Sequence, residues 1–197
     1  MFLLLAFTIN FNFATANDVH DIGGNLIQTG GIYYILDGSY RGGNKGGVTA
    51  ASIGPKQPHA VVQIPSTNSN NGNEVVIANL NDTKIINIDD FTRIQFGGQI
   101  SGCKNPSDWV LVNDESAKLW YVGFTCDGEK PSNQIKKGRF QIKEYNANYK
   151  LSFCSESNLK SCDEVGIHVD GAKNKRLAIG SATSTFAVKF KEYHFKK

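Results

Sequence analysis

Arg139-Phe140-Gln141-Ile142, then Asn146-Ala147-Asn148, then Tyr149-Lys150-Leu151-Ser152-Phe153, is the stretch that decides the fold. Two runs rich in aromatic and aliphatic residues flank an Asn-rich turn, which is the pattern of a β-hairpin. The same signal recurs on both sides. Upstream lie Ile32-Tyr33-Tyr34-Ile35-Leu36, Ala60-Val61-Val62-Gln63-Ile64, Glu74-Val75-Val76-Ile77, Thr92-Arg93-Ile94-Gln95-Phe96, Trp109-Val110-Leu111-Val112 and Leu119-Trp120-Tyr121-Val122. Downstream lie Gly166-Ile167-His168-Val169, Leu177-Ala178-Ile179 and Phe186-Ala187-Val188-Lys189-Phe190. No stretch sustains apolar spacing at three and four residues, so helices are not expected. About eleven or twelve short strands separated by Gly, Asn, Asp and Ser turns make an all-β chain. Such a chain must close its edges as a barrel or a sandwich. Ser39 to Gly47 and Ser66 to Asn73 read as long exposed loops, being rich in Gly, Asn and Ser.

The 197 residues suit one domain. Met1 to Phe13 is mostly Phe, Leu, Ile and Ala without a charged side chain, and Ala14 and Ala16 follow as an A-x-A site. Residues 1–16 therefore read as a cleaved secretory signal and residues 17–197 as the mature domain. The net charge of +3 is spread along the chain, which implies neither nucleic acid nor, after cleavage, a membrane. Four cysteines in a secreted chain suggest two disulfides. Cys154 and Cys162 enclose a short polar segment that suits a hairpin staple, leaving Cys103 for Cys126. A zinc site is the competing use of these thiols, though no C-x-x-C occurs.

The motifs of catalysis are missing. There is no G-x-S-x-G, P-loop or G-x-G-x-x-G, so no cofactor is implied. Asp89-Asp90, if on a strand, would point to opposite faces, and Asp163-Glu164 lie in a turn, so neither makes a glycosidase pair. His20, His59, His168 and His194 fall in no metal or triad spacing. Trp109 and Trp120 could stack on a sugar if exposed, but core packing is their expected place. Asp170-Gly171-Ala172-Lys173-Asn174-Lys175-Arg176 reads as a basic hairpin turn. Its Lys173, Lys175 and Arg176 serve solvation or a protease-facing surface.

The order of these segments resembles the plant Kunitz inhibitors, the soybean trypsin inhibitor family. The matching residues are Asp21-Ile22-Gly23-Gly24-Asn25, Gly30-Gly31-Ile32-Tyr33-Tyr34-Ile35-Leu36 and Pro58-His59-Ala60-Val61-Val62-Gln63. Asp108-Trp109 follows a Cys, and Tyr149-Lys150-Leu151-Ser152-Phe153-Cys154 with Cys162-Asp163-Glu164-Val165-Gly166-Ile167 forms the C-terminal disulfide hairpin. Arg176-Leu177-Ala178-Ile179 then leads to the last strand. The resemblance implies a β-trefoil barrel of about twelve strands. It implies a monomeric, non-enzymatic, extracellular (apoplastic) or vacuolar inhibitor of a protease, a serine protease first. Where the family has a Cys before the Pro of the Pro-x-x-Val-Val-Gln strand, this chain has Gln57. Cys103 must then pair with Cys126, or both stay free or bridge two molecules.

In the family, the loop after the fourth strand is bound as a substrate mimic. Here it is Asn79-Leu80-Asn81-Asp82-Thr83-Lys84-Ile85. Ungapped alignment places Thr83 in the specificity position. Lys84-Ile85, one residue on, is the basic-aliphatic bond that a trypsin-like pocket takes, and it is the expected reactive bond. The Asn that braces this loop in the family is replaced by Thr29, whose hydroxyl has fewer hydrogen-bonding groups. Asn81-Asp82-Thr83 is also an N-glycosylation sequon, whereas Asn105-Pro106-Ser107 is excluded by its Pro. The alternatives are inhibition of a serine carboxypeptidase or cysteine protease through the Lys173 turn, or a storage or carbohydrate-binding role on the same barrel.

Overall fold

A computed structural model describes residues 17–39, 46–52, 58–65, 70–129 and 134–194. The signal segment and Gln57 lie outside the described residues. Those residues hold fifteen strands and no helix. In chain order they are β1 (Gly31–Asp37), β2 (Val48–Ala51), β3 (His59–Gln63), β4 (Val75–Asn79) and β5 (Thr92–Phe96). Next come β6 (Val110–Asp114), β7 (Leu119–Phe124), β8 (Ile135–Lys136), β9 (Gly138–Tyr145) and β10 (Asn148–Ser155). The last are β11 (Cys162–Glu164), β12 (Gly166–Val169), β13 (Lys175–Ile179), β14 (Ser184–Thr185) and β15 (Val188–Glu192).

Six strands close on themselves. The order β10-β15-β1-β4-β5-β9 returns to β10 through the β9–β10 hairpin, so no barrel edge is left open. That hairpin pairs Tyr145 with Asn148 across Asn146-Ala147, and Asn146 takes the left-handed backbone that such a turn requires (φ 53°). Three further hairpins, β2/β3, β6/β7 and β12/β13, meet where β3, β7 and β13 pair with one another. A six-stranded barrel capped by three hairpins is a β-trefoil. Twelve strands carry it, and the short β8, β11 and β14 are additions at its margin.

The core follows from strand alternation. In β4, Val75 and Ile77 face inward, and in β5 Thr92, Ile94 and Phe96 do so. Phe96, Trp109, Phe140 and Phe153 then meet edge to face in succession, with ring centroids 5.3, 6.1 and 5.3 Å apart. Trp109 is only 1% exposed and cannot receive a sugar. Trp120 is half-buried, and its ring is covered by the Lys136 ammonium at 4.0 Å from the centroid.

The two stretches read as exposed loops are anchored at their inner ends. Gly46 and Gly47 are buried, and Thr49 Oγ1 donates to Asn73 Oδ1. A Cβ on Gly47 would collide with the Asn71 carbonyl, so the close approach of the two segments requires glycine there. Cys103 is bonded to Cys126, and Cys154 to Cys162 across the β10–β11 pair. No free thiol remains among the described residues. His59, Cys126 and Glu129 place ligand-type atoms within 4.8 Å of one another, but the Cys126 sulfur is committed to its disulfide and supplies no thiolate.

Candidate functional site

The segment between β4 and β5 leaves the barrel at Asn79 and returns at Thr92. Its downstream half lies against the N-terminal segment. Thr29 N–H donates to the Lys84 carbonyl (2.9 Å), Ile86 N–H to the Ile27 carbonyl (3.0 Å) and Val19 N–H to the Ile86 carbonyl (3.1 Å). Val19, Ile27 and Ile86 are fully buried together, and this burial fixes the register of the loop on the barrel.

The upstream half is held from beneath by two side chains. Asn79 is 8% exposed, and its carbonyl Oδ1 accepts from Asn81 N–H at 2.7 Å. Its Nδ2 donates to Thr83 Oγ1 (2.6 Å) and to Asp90 Oδ2 (2.7 Å). Asp90 in turn accepts from Asn81 Nδ2 through Oδ1 (3.1 Å) and from Asn87 N–H through Oδ2 (2.8 Å). Thr83 Oγ1 also donates to the Ile85 carbonyl (2.8 Å). The tip is left outside this net. Asp82 is exposed, makes no hydrogen bond or ion pair among the described residues, and has φ 55°.

Of the residues singled out in the sequence, Asn79, Leu80, Asn81, Asp82, Thr83, Lys84 and Ile85 thus form one continuous loop. They do not play one role. Asn79 is a buried brace, Thr83 is turned into it, and Lys84 exposes its side chain while its carbonyl is committed to Thr29. Thr29 Oγ1 accepts from Asn79 N–H at 2.7 Å. Thr29 therefore fixes the end of β4 and the Lys84 backbone, and the loop tip is braced by other groups. Asp90 was not among the candidate residues. Asp89 and Asp90 lie in a turn and not on a strand, the Asp89 backbone taking φ 67°. Asp89 is sent out to Lys143 Nζ (2.6 Å) and Asp90 in to Asn79.

The second candidate, Asp170 to Arg176, is a knot around one carboxylate. Asp170 Oδ1 accepts from Ala172 N–H (2.9 Å) and Asn174 N–H (2.8 Å), and Oδ2 from Asn174 Nδ2 (3.0 Å) and Arg176 Nε (2.8 Å). Arg176 also reaches Asp114 Oδ2 (3.1 Å), and these three side chains are 11–20% exposed. The reading of Arg176 as part of a solvated or protease-facing basic surface is corrected. Its guanidinium is consumed between two carboxylates and lies over the Tyr121 ring. Burial pulls both carboxyls upward, yet their hydrogen bonds and the Arg176 charge outweigh it and hold Asp114 and Asp170 below the ordinary carboxylate value. Burial pushes the Tyr121 phenol well above its usual value. Lys175 is half-buried on β13, and Lys173 alone projects, with φ 67°.

Comparison with known proteins finds relatives over almost the whole chain. The legume Kunitz family model, described as trypsin and protease inhibitor, matches residues 19–192. The Kunitz-type trypsin inhibitor KTI2 of Glycine max is 29% identical, covering 98% of this chain and 94% of its own. A Kunitz-type trypsin inhibitor from Cicer arietinum superposes with a TM-score of 0.78 at 26% identity, over 90% of this chain and 99% of its own. The soybean trypsin inhibitor, in its complex with porcine pancreatic trypsin, superposes with a TM-score of 0.70 at 25% identity, over 90% of this chain and 99% of its own.

Proposed function

This chain belongs to the legume Kunitz family of trypsin and protease inhibitors, whose members are inhibitors rather than enzymes, and on that premise we propose that it inhibits a serine endopeptidase by presenting residues 79–85 as a substrate-like loop. The observation that carries the reading is the brace from Asn79 and Asp90. A loop that is already ordered loses little conformational entropy on docking, so it binds more tightly than a flexible substrate of the same sequence. The same order keeps both ends of a cleaved bond in place, which favours resealing over release.

Lys84 is the basic side chain on offer, but the Lys84-Ile85 bond is poorly placed. A scissile carbonyl must point into the protease's oxyanion hole, whereas the Lys84 carbonyl accepts from Thr29 N–H. Cutting there requires that bridge to open. Weak inhibition of trypsin-like enzymes follows. The Lys173 turn offers one projecting lysine without a scaffold-held extended segment, and it ranks behind. Two disulfides support an extracellular or vacuolar setting. The exposed large apolar side chains among the described residues, Ile22, Leu26 and Val169, support a monomer by their small number.

The test is titration of trypsin, chymotrypsin, a serine carboxypeptidase and papain with purified protein, beside Lys84→Ala and Lys173→Ala. Inhibition of a serine endopeptidase that survives Lys173→Ala is expected. Loss of all inhibition in Lys173→Ala alone would move the function to the second turn.

A further inference from the structure

Resting on the reading of residues 79–85 as the inhibitory loop, we propose that its reactive bond is Asp82–Thr83. Asp82 then fills the primary specificity pocket, and the target is an endopeptidase that accepts an acidic side chain. A bond used in this way needs three things. The side chain on its acyl side must be free to leave the inhibitor, its carbonyl must be free, and both flanks must be tethered to the scaffold.

Only one bond in the exposed arc meets all three. Asn81–Asp82 fails because the Asn81 amide is bonded to Asp90 Oδ1 (3.1 Å). Thr83–Lys84 fails because Thr83 Oγ1 is turned inward between Asn79 Nδ2 (2.6 Å) and the Ile85 carbonyl (2.8 Å). Lys84–Ile85 fails because its carbonyl is taken by Thr29 N–H (2.9 Å). At Asp82–Thr83 the Asp82 carboxylate is exposed, and neither it nor the Asp82 carbonyl has a partner among the described residues.

The flanks of this bond are tied to one pair of side chains. Upstream, Asn81 is held through its N–H by Asn79 Oδ1 (2.7 Å) and through its amide by Asp90. Downstream, Thr83 is held by Asn79 Nδ2. Asn79 and Asp90 are bonded to each other at 2.7 Å, so a single bridge spans the bond from beneath. The left-handed Asp82 backbone (φ 55°) has to become extended in a protease cleft. Asp is among the few residues with a side chain that visit the left-handed well, so that rotation is confined to residue 82 and is small in free energy. Trypsin carries a carboxylate at the base of its pocket and repels Asp82. A pocket with a basic floor attracts it.

The experiment uses the full chain and its Asp82→Ala, Asp82→Arg and Lys84→Ala variants against trypsin and a glutamate/aspartate-directed serine endopeptidase. Folding is checked by circular dichroism, and the cut made during long incubation with trace enzyme is located by mass spectrometry. The chain is expected to inhibit the acid-directed enzyme with a cut between residues 82 and 83. Asp82→Ala should weaken that inhibition about 100-fold, Asp82→Arg should transfer it to trypsin, and Lys84→Ala, two residues on in the same loop, should weaken it far less than Asp82→Ala does. Trypsin inhibition abolished by Lys84→Ala, with the cut after Lys84, overturns the Asp82 assignment and leaves the loop reading standing. Inhibition of the acid-directed enzyme unchanged in Asp82→Ala does the same. No inhibition by the chain or either folded Asp82 variant, and no cut within residues 79–85, overturns the loop reading itself.

Discussion

Replacing Asn79 by Ala separates rigidity of the loop from its sequence, because the side chain is buried and never meets a protease. The substitution deletes the bonds to Asn81 N–H (2.7 Å), Thr83 Oγ1 (2.6 Å) and Asp90 Oδ2 (2.7 Å), and a long one to the Ile85 carbonyl (3.4 Å) that adds little. Two neutral hydrogen bonds at about 1 kcal/mol each and one to a carboxylate at about 2 kcal/mol give a gross loss of about 4 kcal/mol. Asn81 and Thr83 are exposed, so water replaces their lost partner, and Asp90 keeps Asn87 N–H (2.8 Å) and the Asn81 amide. About half of that gross loss, about 2 kcal/mol, is the expected cost.

For a chain of this size that lowers the melting temperature by about 4–8 °C. If the loop's order is what the protease binds, the same loss weakens inhibition about 30-fold and speeds hydrolysis of the loop. Differential scanning calorimetry gives the first quantity. Titration of the protease that the parent protein inhibits, with timed mass spectrometry, gives the others. A lowered melting temperature with unchanged inhibition and unchanged loop hydrolysis would refute the argument that the brace makes the inhibitor.

Arg176→Met should cost about 3 kcal/mol in chemical denaturation, the low end for breaking a largely buried charge network, because Asp114 and Asp170 lose their shared cation. Both carboxyls sit below their ordinary value when folded, so their contribution is complete above that value and is lost as pH falls through the depressed folded values. Melting temperature should therefore hold steady down to about pH 4 and fall below it, and Arg176→Met should flatten that fall. Serine at both Cys103 and Cys126 should cost about 3 kcal/mol, from reopening a loop with a sequence separation of 23, as read by urea unfolding. A glycan at Asn81 would stand one residue from the loop tip. Asn81→Gln protein from a glycosylating host should inhibit more strongly than its parent if the site is occupied, and a mass unchanged on glycosidase treatment of the parent would dismiss the effect.

The barrel was largely legible because its strands alternate. β5 and β12 coincide with the stretches read from the sequence, and the β9–β10 hairpin lies where its Asn-rich turn put it. β2 was not legible. Val48-Thr49-Ala50-Ala51 is a weak strand former, and it pairs with β3 because its neighbouring glycines let the chain pack under Asn71. Phe186 and Ala187, read as strand, are buried just ahead of β15. β8, β11 and β14 are two or three residues each, too short to carry a periodic signal. The threefold plan was hidden because it resides in which strands meet and not in repeated residues. The loop itself was visible through the resemblance, and its brace was not. Asn79 bonding Asn81 two residues on is a local Asx pattern that sequence can suggest. Asp90 reaches the same amide only because the loop turns back at Asp89, which no spacing rule contains.

The two candidate loops each gather around one carboxylate, and the contrast between them favours the 79–85 loop for the substrate mimicry proposed above. Asp170 bonds Ala172, Asn174 and Arg176, all within the turn itself. Cutting that turn would divide the carboxylate network between the two new ends, which the β12–β13 ladder still holds through Val169 opposite Lys175, and beyond the ladder Asp114 bonds Arg176. The 79–85 loop is anchored from outside. Its upstream end is the last residue of β4, paired to β5 through Asn79 and Thr92. Its downstream end is tied through Lys84 and Ile86 to residues 27–29 and Val19. A cut at the tip leaves both anchors whole. The new ends then stay near each other at little further entropic cost, and rejoining competes with escape.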